Sequence, residues 1–359
     1  MGMCSCCAEK DQHDVTVETH PRPVEASVQS AVVKEDISLD TEGSIAPLQT
    51  ALRTYQARKQ LHTNDSSYLD PDDFPLSTTA IEETISDFIG NPEALLTSRV
   101  REVLHTLAPF LYPRELKGVK VRSAVRLRDG SVYVGEWMQS CRFGKGKLYG
   151  GSGNYQEGYW KAGVLHYRGR IILGNGDVYE GEVAEGKREG RGRLTSKESG
   201  SEYEGQWKGD RKEGIGVERF SENGSCYTGS FVAGAKQGKG VFEWGDGSRY
   251  EGEFFNDVLE GEGKYTWADH RQYDGQWRNN QMHGQGRFTW PDGRVYEGHY
   301  ERDKKEGFGL YKWEGGKEYE GNWHDGKMHG EGYLSLPGKP KKKYSFVNGK
   351  RGNPLEETL

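Results

Sequence analysis

The chain has 359 residues and a formal net charge of −6, so it is long enough for one long domain or two ordinary ones. The mild negative charge gives no reason to expect nucleic acid as the main partner. Glycine is unusually frequent, with 51 residues, and 20 tyrosines and 9 tryptophans accompany only 12 prolines. This composition excludes collagen and a Pro/Gly linker, and it favours short strands joined by turns.

The first 45 residues are polar and poor in aromatic side chains, which predicts a disordered tail. No stretch of the chain is apolar enough to span a membrane, and no secretory signal core follows the N-terminus, so we expect a cytoplasmic protein. The tail begins MGMCSCCAEK, with glycine second, as N-myristoylation requires, and cysteines placed where palmitate is commonly added. One acyl chain binds membranes weakly, whereas two anchor a protein stably. The predicted lipidation sites are Gly2, Cys4, Cys6 and Cys7.

The myristoylation motif is imperfect, because Cys6 stands where Ser or Thr is preferred. The alternative interpretation is an unmodified tail with reactive thiols. A zinc site is disfavoured, since the three clustered cysteines have no fourth ligand nearby, and Cys141 and Cys226 are isolated.

A helical segment is predicted over residues 46–118. Thr79 and Glu82 have the spacing of a capping box before a first helix, and Asn91 and Pro92 predict the start of a second. The two apolar stripes are Ile81, Ile85, Phe88 and Ile89, and then Leu95, Leu96, Val100, Val103, Leu104 and Leu107. We expect this pair of helices to cap the repeats that follow; the alternative is a partner-binding helix pair.

From residue 133 onward the sequence repeats a Tyr-x-Gly-x-aromatic motif with a spacing of 23 or 24 residues. Counted from the tyrosine as position 0, glycine recurs at +2, +11 and +13, a large residue at +15, and Trp at +17 in four consecutive copies. One copy, EGYW at 157–160, is displaced, because Tyr155 lies one residue early. The regular tyrosines are Tyr133, Tyr179, Tyr203, Tyr227, Tyr250, Tyr273, Tyr296 and Tyr319.

Each repeat is predicted to be a β-hairpin. Alternation with period two places positions 0, +2 and +4 on one face of a strand, and positions +11 to +17 on the same face of a second. The residues between, such as HDGKMH at 324–329, are expected to form the connection. Glycine leaves space for neighbouring rings, and stacked hairpins bury a face that one hairpin cannot. The predicted repeat core contains Tyr133, Trp137, Tyr203, Trp207, Tyr250, Trp267, Tyr273, Trp277, Trp290, Tyr296, Trp313, Tyr319 and Trp323.

The unit resembles the MORN repeat (membrane occupation and recognition nexus), whose consensus looks like YEGxWxxGxxxGxGxxxxxxG. The resemblance implies a mainly β fold with an elongated single-layer array of about nine hairpins, which follows the short α-helical N-terminal segment predicted above. Together these predictions divide the chain into a tail (1–45), a capping helical segment (46–118), the repeat array (119–336), and a basic C-terminal cap and tail (337–359). Val183 and Glu218 depart from the pattern, and YSFVNGK at 344–350 is expected to be a partial tenth unit.

We expect no catalytic residue, cofactor or metal. His283 and His329 share position +10 and are interpreted as turn residues, and the recurring glutamates of YEG as solvated charges. GEVAEGKR at 181–188 and GNWHDGKM at 321–328 approach the P-loop spacing, but both fall at the same repeat positions, so hairpin periodicity explains them. The most basic patch is interpreted as a contact for an anionic surface or as a solvated edge. It consists of Lys339, Lys341, Lys342 and Lys343.

The resemblance implies assembly, because MORN proteins are typically structural and bind partners at membranes and the cytoskeleton. Our leading hypothesis is a non-catalytic scaffold that binds cytoskeletal proteins and links them to the membrane, with a homodimer and a membrane surface as further associations. The alternative is a structural subunit of the axoneme of cilia or flagella, where radial-spoke heads contain similar proteins. An enzyme with accessory MORN repeats is disfavoured, because the residues before the array are too polar and irregular for a catalytic domain.

Overall fold

The computed structural model describes residues 86–112 and 119–355, which belong to two compact units divided between Gly245 and Asp246. In each unit every strand pairs antiparallel with the next strand along the chain. The N-terminal unit contains β1 (Ser86–Asp87), β2 (Lys120–Arg126), β3 (Val132–Met138), β4 (Cys141–Tyr149), β5 (Tyr155–Lys161), β6 (Val164–Ile172), β7 (Val178–Ala184), β8 (Lys187–Thr195), β9 (Glu202–Lys208), β10 (Arg211–Phe220), β11 (Ser225–Val232) and β12 (Ala235–Glu243). The C-terminal unit contains β13 (Arg249–Phe255), β14 (Val258–Thr266), β15 (Gln272–Arg278), β16 (Gln281–Thr289), β17 (Val295–Glu301), β18 (Lys304–Lys312), β19 (Glu318–His324), β20 (Lys327–Ser335), β21 (Lys342–Val347) and β22 (Lys350–Pro354). The mainly β hairpin fold predicted from the sequence is confirmed.

A two-residue turn joins the two strands of each hairpin. Between β15 and β16, Asn279 and Asn280 have φ angles of 50° and 63°. Two consecutive positive φ angles define a type I′ turn, whose twist matches that of the flanking strands, and asparagine tolerates this conformation. The longer connection predicted over 324–329 is wrong, because only Asp325 and Gly326 separate β19 from β20.

A β-bulge interrupts the second strand of each regular repeat. Trp277 pairs with Met282 and Gly275 with Gly286, so four steps along β16 match two along β15. Position +11 lies inside this bulge, and Gly284 has a left-handed φ of 57° there, which glycine adopts at little cost. The prediction that +11 shares a face with +13 is therefore wrong.

The tyrosine ring at position 0 occupies the space left by the glycines at +2 and +13. A Cβ atom added to Gly252 would lie 2.5 Å from both the Cα of Gly263 and the Oη of Tyr250. Neither backbone can retreat without breaking the pairing of β13 with β14, in which these two glycines are direct partners. The predicted use of glycine to make room for a ring is confirmed in these repeats.

The helical segment differs from its prediction. Asn91 caps a short 3-10 helix (Pro92–Leu95) by accepting the Glu93 N–H at 3.0 Å. The chain then becomes extended, and Thr97 caps a separate helix, α1 (Ser98–Thr106), by accepting the Val100 N–H at 3.2 Å. The second predicted helix is therefore two separate helices, because Thr97 caps the start of a new helix after the 3-10 helix has ended.

The first predicted helix ends differently as well. Ser86 and Asp87 form β1, which pairs with β2, and the Phe88 N–H donates to the Ala124 carbonyl at 2.9 Å. The expectation that Phe88 and Ile89 belong to this helix is wrong, because the chain pairs with β2 from Ser86 to Phe88. Its predicted capping box, Thr79 and Glu82, and its residues Ile81 and Ile85 lie outside the described residues.

Helix α1 packs against the sheet face opposite the tyrosine rings. Its buried Val100 and Val103 form a cluster with Val132, Tyr149 and Tyr155, among other apolar residues. Adjacent strand residues point to opposite faces, so the one-residue displacement of the second repeat moves its tyrosine to the face that α1 covers. We call this face, which carries the odd-numbered positions of the first strand, the outer face, and the other the inner face.

Candidate binding surface

The inner face is an aromatic ladder that runs through successive repeats of each unit. The Tyr273 ring meets Trp277 of its own repeat edge-on at 5.1 Å and Tyr300 of the next at 5.2 Å. The same pair of contacts recurs around Tyr250 and Tyr296, among others. Each such contact contributes about 0.5–1.5 kcal/mol beyond burial, so the ladder stabilises both the repeat and its junction with the next.

Hydrogen bonds tie the ladder to the backbone. The tyrosine hydroxyl at position 0 donates to the carbonyl of residue +3, as Tyr273 does to Gln276 at 2.8 Å and Tyr296 to His299 at 3.0 Å. A Trp at +4 donates its Nε1–H to the carbonyl of the +13 glycine in the preceding repeat, as Trp277 does to the Gly263 carbonyl at 2.9 Å. The sequence interpretation missed both bonds, although tyrosine rather than phenylalanine at every regular position 0 was the available signal.

Cations extend the ladder at position +9. Lys305 is only 5% exposed, and its Nζ lies 4.7–5.2 Å from four aromatic ring centroids. Those rings belong to Trp290, Tyr296, Tyr311 and Trp323. Arg188 occupies the equivalent place, 4.4 Å from the Trp207 centroid. Such contacts are attractive because the ring face is electron-rich; their recurrence was not predicted.

Glu218 is the departure at +15, and the +9 cations explain it. Lys212 forms an ion pair with one of its carboxylate oxygens, and Lys236 lies 3.3 Å from the other. Burial alone would raise the pKa of Glu218, but the two lysines hold it below its ordinary value. The glutamate replaces an aromatic ring where two neighbouring repeats both place lysine at +9.

The predicted repeat core lies on this ladder and in the loops beside it. Twelve of its thirteen residues are buried, and Trp313 is half-buried. The tryptophans at +17 begin the loops between repeats. The backbone N–H of Trp267 donates to the backbone carbonyl of Arg271 at 3.0 Å, and the Arg271 guanidinium lies 5.6 Å from the Trp267 indole centroid.

Polar side chains at +10 hold the turn of the next repeat. Glu306 accepts the Asp325 N–H at 3.0 Å and the His324 Nδ1 lies 2.9 Å from its other oxygen. Hydrogen bonding to Glu306 raises the pKa of His324 above its ordinary value. His329 accepts the Asn348 N–H at 3.4 Å through Nδ1.

The interpretation of the +10 histidines as turn residues is therefore wrong. His283 lies in β16 and His329 in β20.

Across residues 86–112 and 119–355, no three His, Cys, Asp or Glu side chains are grouped so that they would hold a metal ion. Cys141 is buried in β4, and burial raises the pKa of the Cys226 thiol in β11.

The two near-misses to a P-loop lie in hairpins. Gly321 belongs to β19, Gly326 to the turn and Lys327 to β20. Gly181 and Gly186 occupy the same places in β7 and its turn. No helix follows either lysine, so the amides are committed to strand pairing rather than directed at a phosphate.

The outer face carries charges in cross-strand pairs. Most YEG glutamates are at least partly exposed there, but Glu157 is only 4% exposed, so its predicted solvation is wrong. It lies 3.5 Å from Arg170 and 3.4 Å from Lys147. A buried carboxylate needs such partners, because its desolvation alone is costly.

The basic patch lies at the C-terminal edge. Lys339 and Lys342 are exposed, whereas Lys341 lies 2.5 Å from Glu320 and Lys343 lies 2.7 Å from Glu331. Two of its four charges are thus partly neutralised. The predicted lipidation sites Gly2, Cys4, Cys6 and Cys7 lie outside the described residues.

The family model for the MORN repeat matches seven segments of the chain. They are residues 179–200, 203–225, 227–249, 250–270, 273–293, 296–318 and 319–338. This is a MORN-repeat protein. The two copies before residue 179 lie outside the matched segments, yet β3–β4 and β5–β6 repeat the hairpin pairing of the MORN array. The partial tenth unit is the hairpin β21–β22, whose Phe346 meets Tyr319 edge-on at 4.9 Å.

The similar solved structures are remote. The TCP10 domain of Danio rerio CPAP, solved with a STIL peptide, is 13% identical with a TM-score of 0.36, covering 65% of this chain and 98% of its own. The TCP domain of Drosophila melanogaster SAS-4, solved with a proline-rich motif of Ana2, is 18% identical with a TM-score of 0.29, covering 54% and 99%. Scores this low support no functional transfer. No curated protein sequence matches the chain significantly.

No helix within the described ranges is long and apolar enough to cross a membrane.

Proposed function

We propose that this MORN-repeat protein is a non-catalytic scaffold that binds cytoskeletal proteins and links them to a membrane. The observation that carries the proposal is the difference between the two faces of the sheet. The inner face uses its aromatic rings to join repeats, as Tyr273 does with Tyr300, while much of the outer face carries side chains that are exposed to solvent. An extended surface of this kind suits partners that are larger than a small ligand.

The membrane contact in this proposal is the acylated N-terminus. Myristate on Gly2 together with palmitate on a neighbouring cysteine would anchor the chain stably, whereas the C-terminal lysines would add only electrostatic attraction. Because Lys341 and Lys343 already face carboxylates, the lysine patch is the weaker of the two contacts.

Metabolic labelling with an alkyne-myristate tests the anchor directly. Wild-type protein is expected to take the label and sediment with membranes, and the Gly2→Ala variant to do neither. A matched Cys226→Ala variant, which leaves the tail intact, is expected to behave as wild type. Unlabelled wild-type protein that stays with detergent-insoluble axonemes would reject the membrane link and favour the axonemal alternative.

Liposome sedimentation of the full chain separates the two membrane contacts. Unacylated protein is expected to bind anionic vesicles weakly, and replacement of Lys339 and Lys342 by Gln is expected to remove that binding. Unchanged binding after these replacements would eliminate the patch as a lipid contact.

A further inference from the structure

A short segment after helix α1 lies over the outer face of β4 and β5. Residues 108–112 belong to no strand or helix, and we call them the strap. The Tyr112 ring of the strap meets Tyr159 of β5 edge-on at 5.5 Å, and its centroid lies 5.7 Å from the Lys145 Nζ of β4. The sheet thus offers this ring both an aromatic and a cationic partner.

The strap contacts the sheet through alternate side chains. Phe110 is half-buried, and the Arg170 guanidinium of β6 lies 5.6 Å from its ring centroid. Leu111, between the two rings, is 82% exposed. In an extended chain, residues two apart point the same way and the residue between them points away. The strap therefore sits on the sheet as an extended peptide with rings at alternate positions.

The second repeat differs from the others where it meets the strap. Its positions are counted from residue 156, where the regular tyrosine would stand, and it alone among the nine repeats has Phe, Tyr or Trp at +3. That residue is Tyr159, which is 3% exposed. We call Lys145, Tyr159 and Arg170 the strap site. Repeat periodicity does not explain this site, because the ring at +3 occurs in one repeat.

Two features beside the strap site oppose stability. Tyr167 replaces the +11 glycine and has a left-handed φ of 64°, which is strained for tyrosine. It follows His166, the direct partner of Tyr159. Glu157 and Arg170 form a buried ion pair, which apolar residues can often replace without loss of stability. Departures of this kind concentrate at functional sites, so we interpret the strap site as a binding site.

The strap is held less firmly than the helix before it. Helix α1 buries Val100 completely, and the Thr97 N–H donates to the Gly153 carbonyl at 3.3 Å. The hydrogen bond from the Tyr112 hydroxyl to the Gly146 carbonyl is 3.5 Å long, beyond the usual range for a hydroxyl donor. We therefore expect the strap to leave the sheet while α1 stays in place.

We propose that the strap site binds an extended peptide of a partner protein with aromatic side chains at alternate positions. The strap occupies the site in the free protein, and the partner displaces it. The strap itself defines the partner's chemistry: two rings that face Lys145, Tyr159 and Arg170, and a residue between them that faces solvent. The inference rests on the proposed scaffold role and names the chemistry of one partner.

Fluorescence anisotropy with the purified full chain tests the strap site. The probe is a labelled LAPFLYPR peptide, which copies residues 107–114, and its counterpart has alanine in place of both aromatic residues. The double variant Phe110→Ala/Tyr112→Ala is expected to bind the probe at least tenfold more tightly than wild type, because its own strap no longer competes. Equal binding to the two proteins, no binding to the double variant, or equal binding of the two peptides would overturn the proposal.

Matched variants locate the binding. Leu111→Ala changes the exposed side chain of the strap, and this variant is expected to bind the probe as weakly as wild type. Added to the double variant, Lys145→Glu is expected to weaken binding at least fivefold, because a carboxylate then faces the probe's ring. Lys239→Glu, at the same +12 position of a later repeat, is expected to change binding less than twofold.

Two results would contradict this location. They are equal effects of Lys145→Glu and Lys239→Glu, and a Leu111→Ala variant that binds as tightly as the double variant. Circular dichroism checks that the variants fold, and Tyr112→Ala alone replaces the double variant if the latter does not.

Light scattering separates a partner protein from a second copy of the chain. Wild type and the double variant are expected to have equal masses. A wild-type dimer that the double variant fails to form would assign the strap to a second copy and contradict the partner proposed here.

The peptide measurement and the membrane measurements fail independently. An unacylated chain that remains off membranes still reports peptide binding, and a chain that ignores the peptide can still carry the anchor. Failure here therefore removes this partner class and leaves the anchor to its own test.

Discussion

Two tyrosines of strand β17 predict opposite effects for the same substitution. The Tyr296 hydroxyl donates to the His299 carbonyl at 3.0 Å, whereas the buried Tyr300 hydroxyl has no hydrogen-bonding partner among the described residues. Both rings keep their edge contact with each other at 5.2 Å when the hydroxyl is removed. Replacement of each tyrosine by phenylalanine therefore isolates the hydroxyl.

Tyr296→Phe is expected to destabilise the protein by about 1–2 kcal/mol, because a buried hydrogen bond is lost and the His299 carbonyl loses its donor. Tyr300→Phe is expected to stabilise it by about 1 kcal/mol, because a desolvated hydroxyl without a partner is removed. Burial also raises the pKa of Tyr300 well above its ordinary value, which agrees with a hydroxyl that is shielded from water.

Urea unfolding of both variants and of wild type, followed by circular dichroism and tryptophan fluorescence, measures the difference. The dependence of the free energy of unfolding on urea concentration must be the same for wild type and variants before the midpoints are compared. Repeat arrays unfold in more than one step when cooperativity breaks down. A Tyr300→Phe variant that is destabilised as much as Tyr296→Phe would show that the Tyr300 hydroxyl has a partner, and would refute the reasoning.

Three further predictions concern the same ladder. Trp207→Phe is expected to cost more than Trp137→Phe by about 1 kcal/mol in urea unfolding, because only Trp207 donates its Nε1–H, whereas that of Trp137 has no partner within the described residues. Glu218→Gln is expected to cost about 3 kcal/mol by the same assay, because it leaves two poorly exposed lysines without their carboxylate; a loss below 0.5 kcal/mol would contradict this. Burial raises the pKa of Tyr319 to about 12. The stabilisation that the neutral, buried Tyr319 gives to the folded protein is therefore complete below pH 10 and is lost as the pH rises towards 12. A melting temperature that does not fall between pH 10 and pH 12 would contradict this prediction.

Periodic features of this fold were predictable, because one side chain repeated in phase reveals both its strand and its face. Position 0 is an example: tyrosine with glycine two residues on indicated an inner-face ring, and Tyr250 lies over Gly252 in the structure. The second strand was less predictable. At the bulge around Gly284, β16 has two more residues than β15 between the same two pairs. Alternation alone cannot reveal where a strand leaves register.

Contacts between distant parts of the chain were not predictable. Tyr155 was interpreted as displaced because periodicity compares a residue only with the other repeats. Its position is explained by its packing against helix α1. The burial of Lys305 could not be predicted, because the four rings around it come from three different repeats. Thr97 is a helix cap that no pattern distinguished from the earlier cap at Asn91.

The central claim, a scaffold held at a membrane by its N-terminus, is tested most directly by localisation of the full chain with a C-terminal fluorescent tag, beside its Gly2→Ala variant. The account predicts that the wild-type protein lies at a membrane together with cytoskeletal markers, and that the variant becomes diffuse while remaining folded. Wild-type protein and variant that both remain in detergent-extracted axonemes, or that are both diffuse, would contradict it.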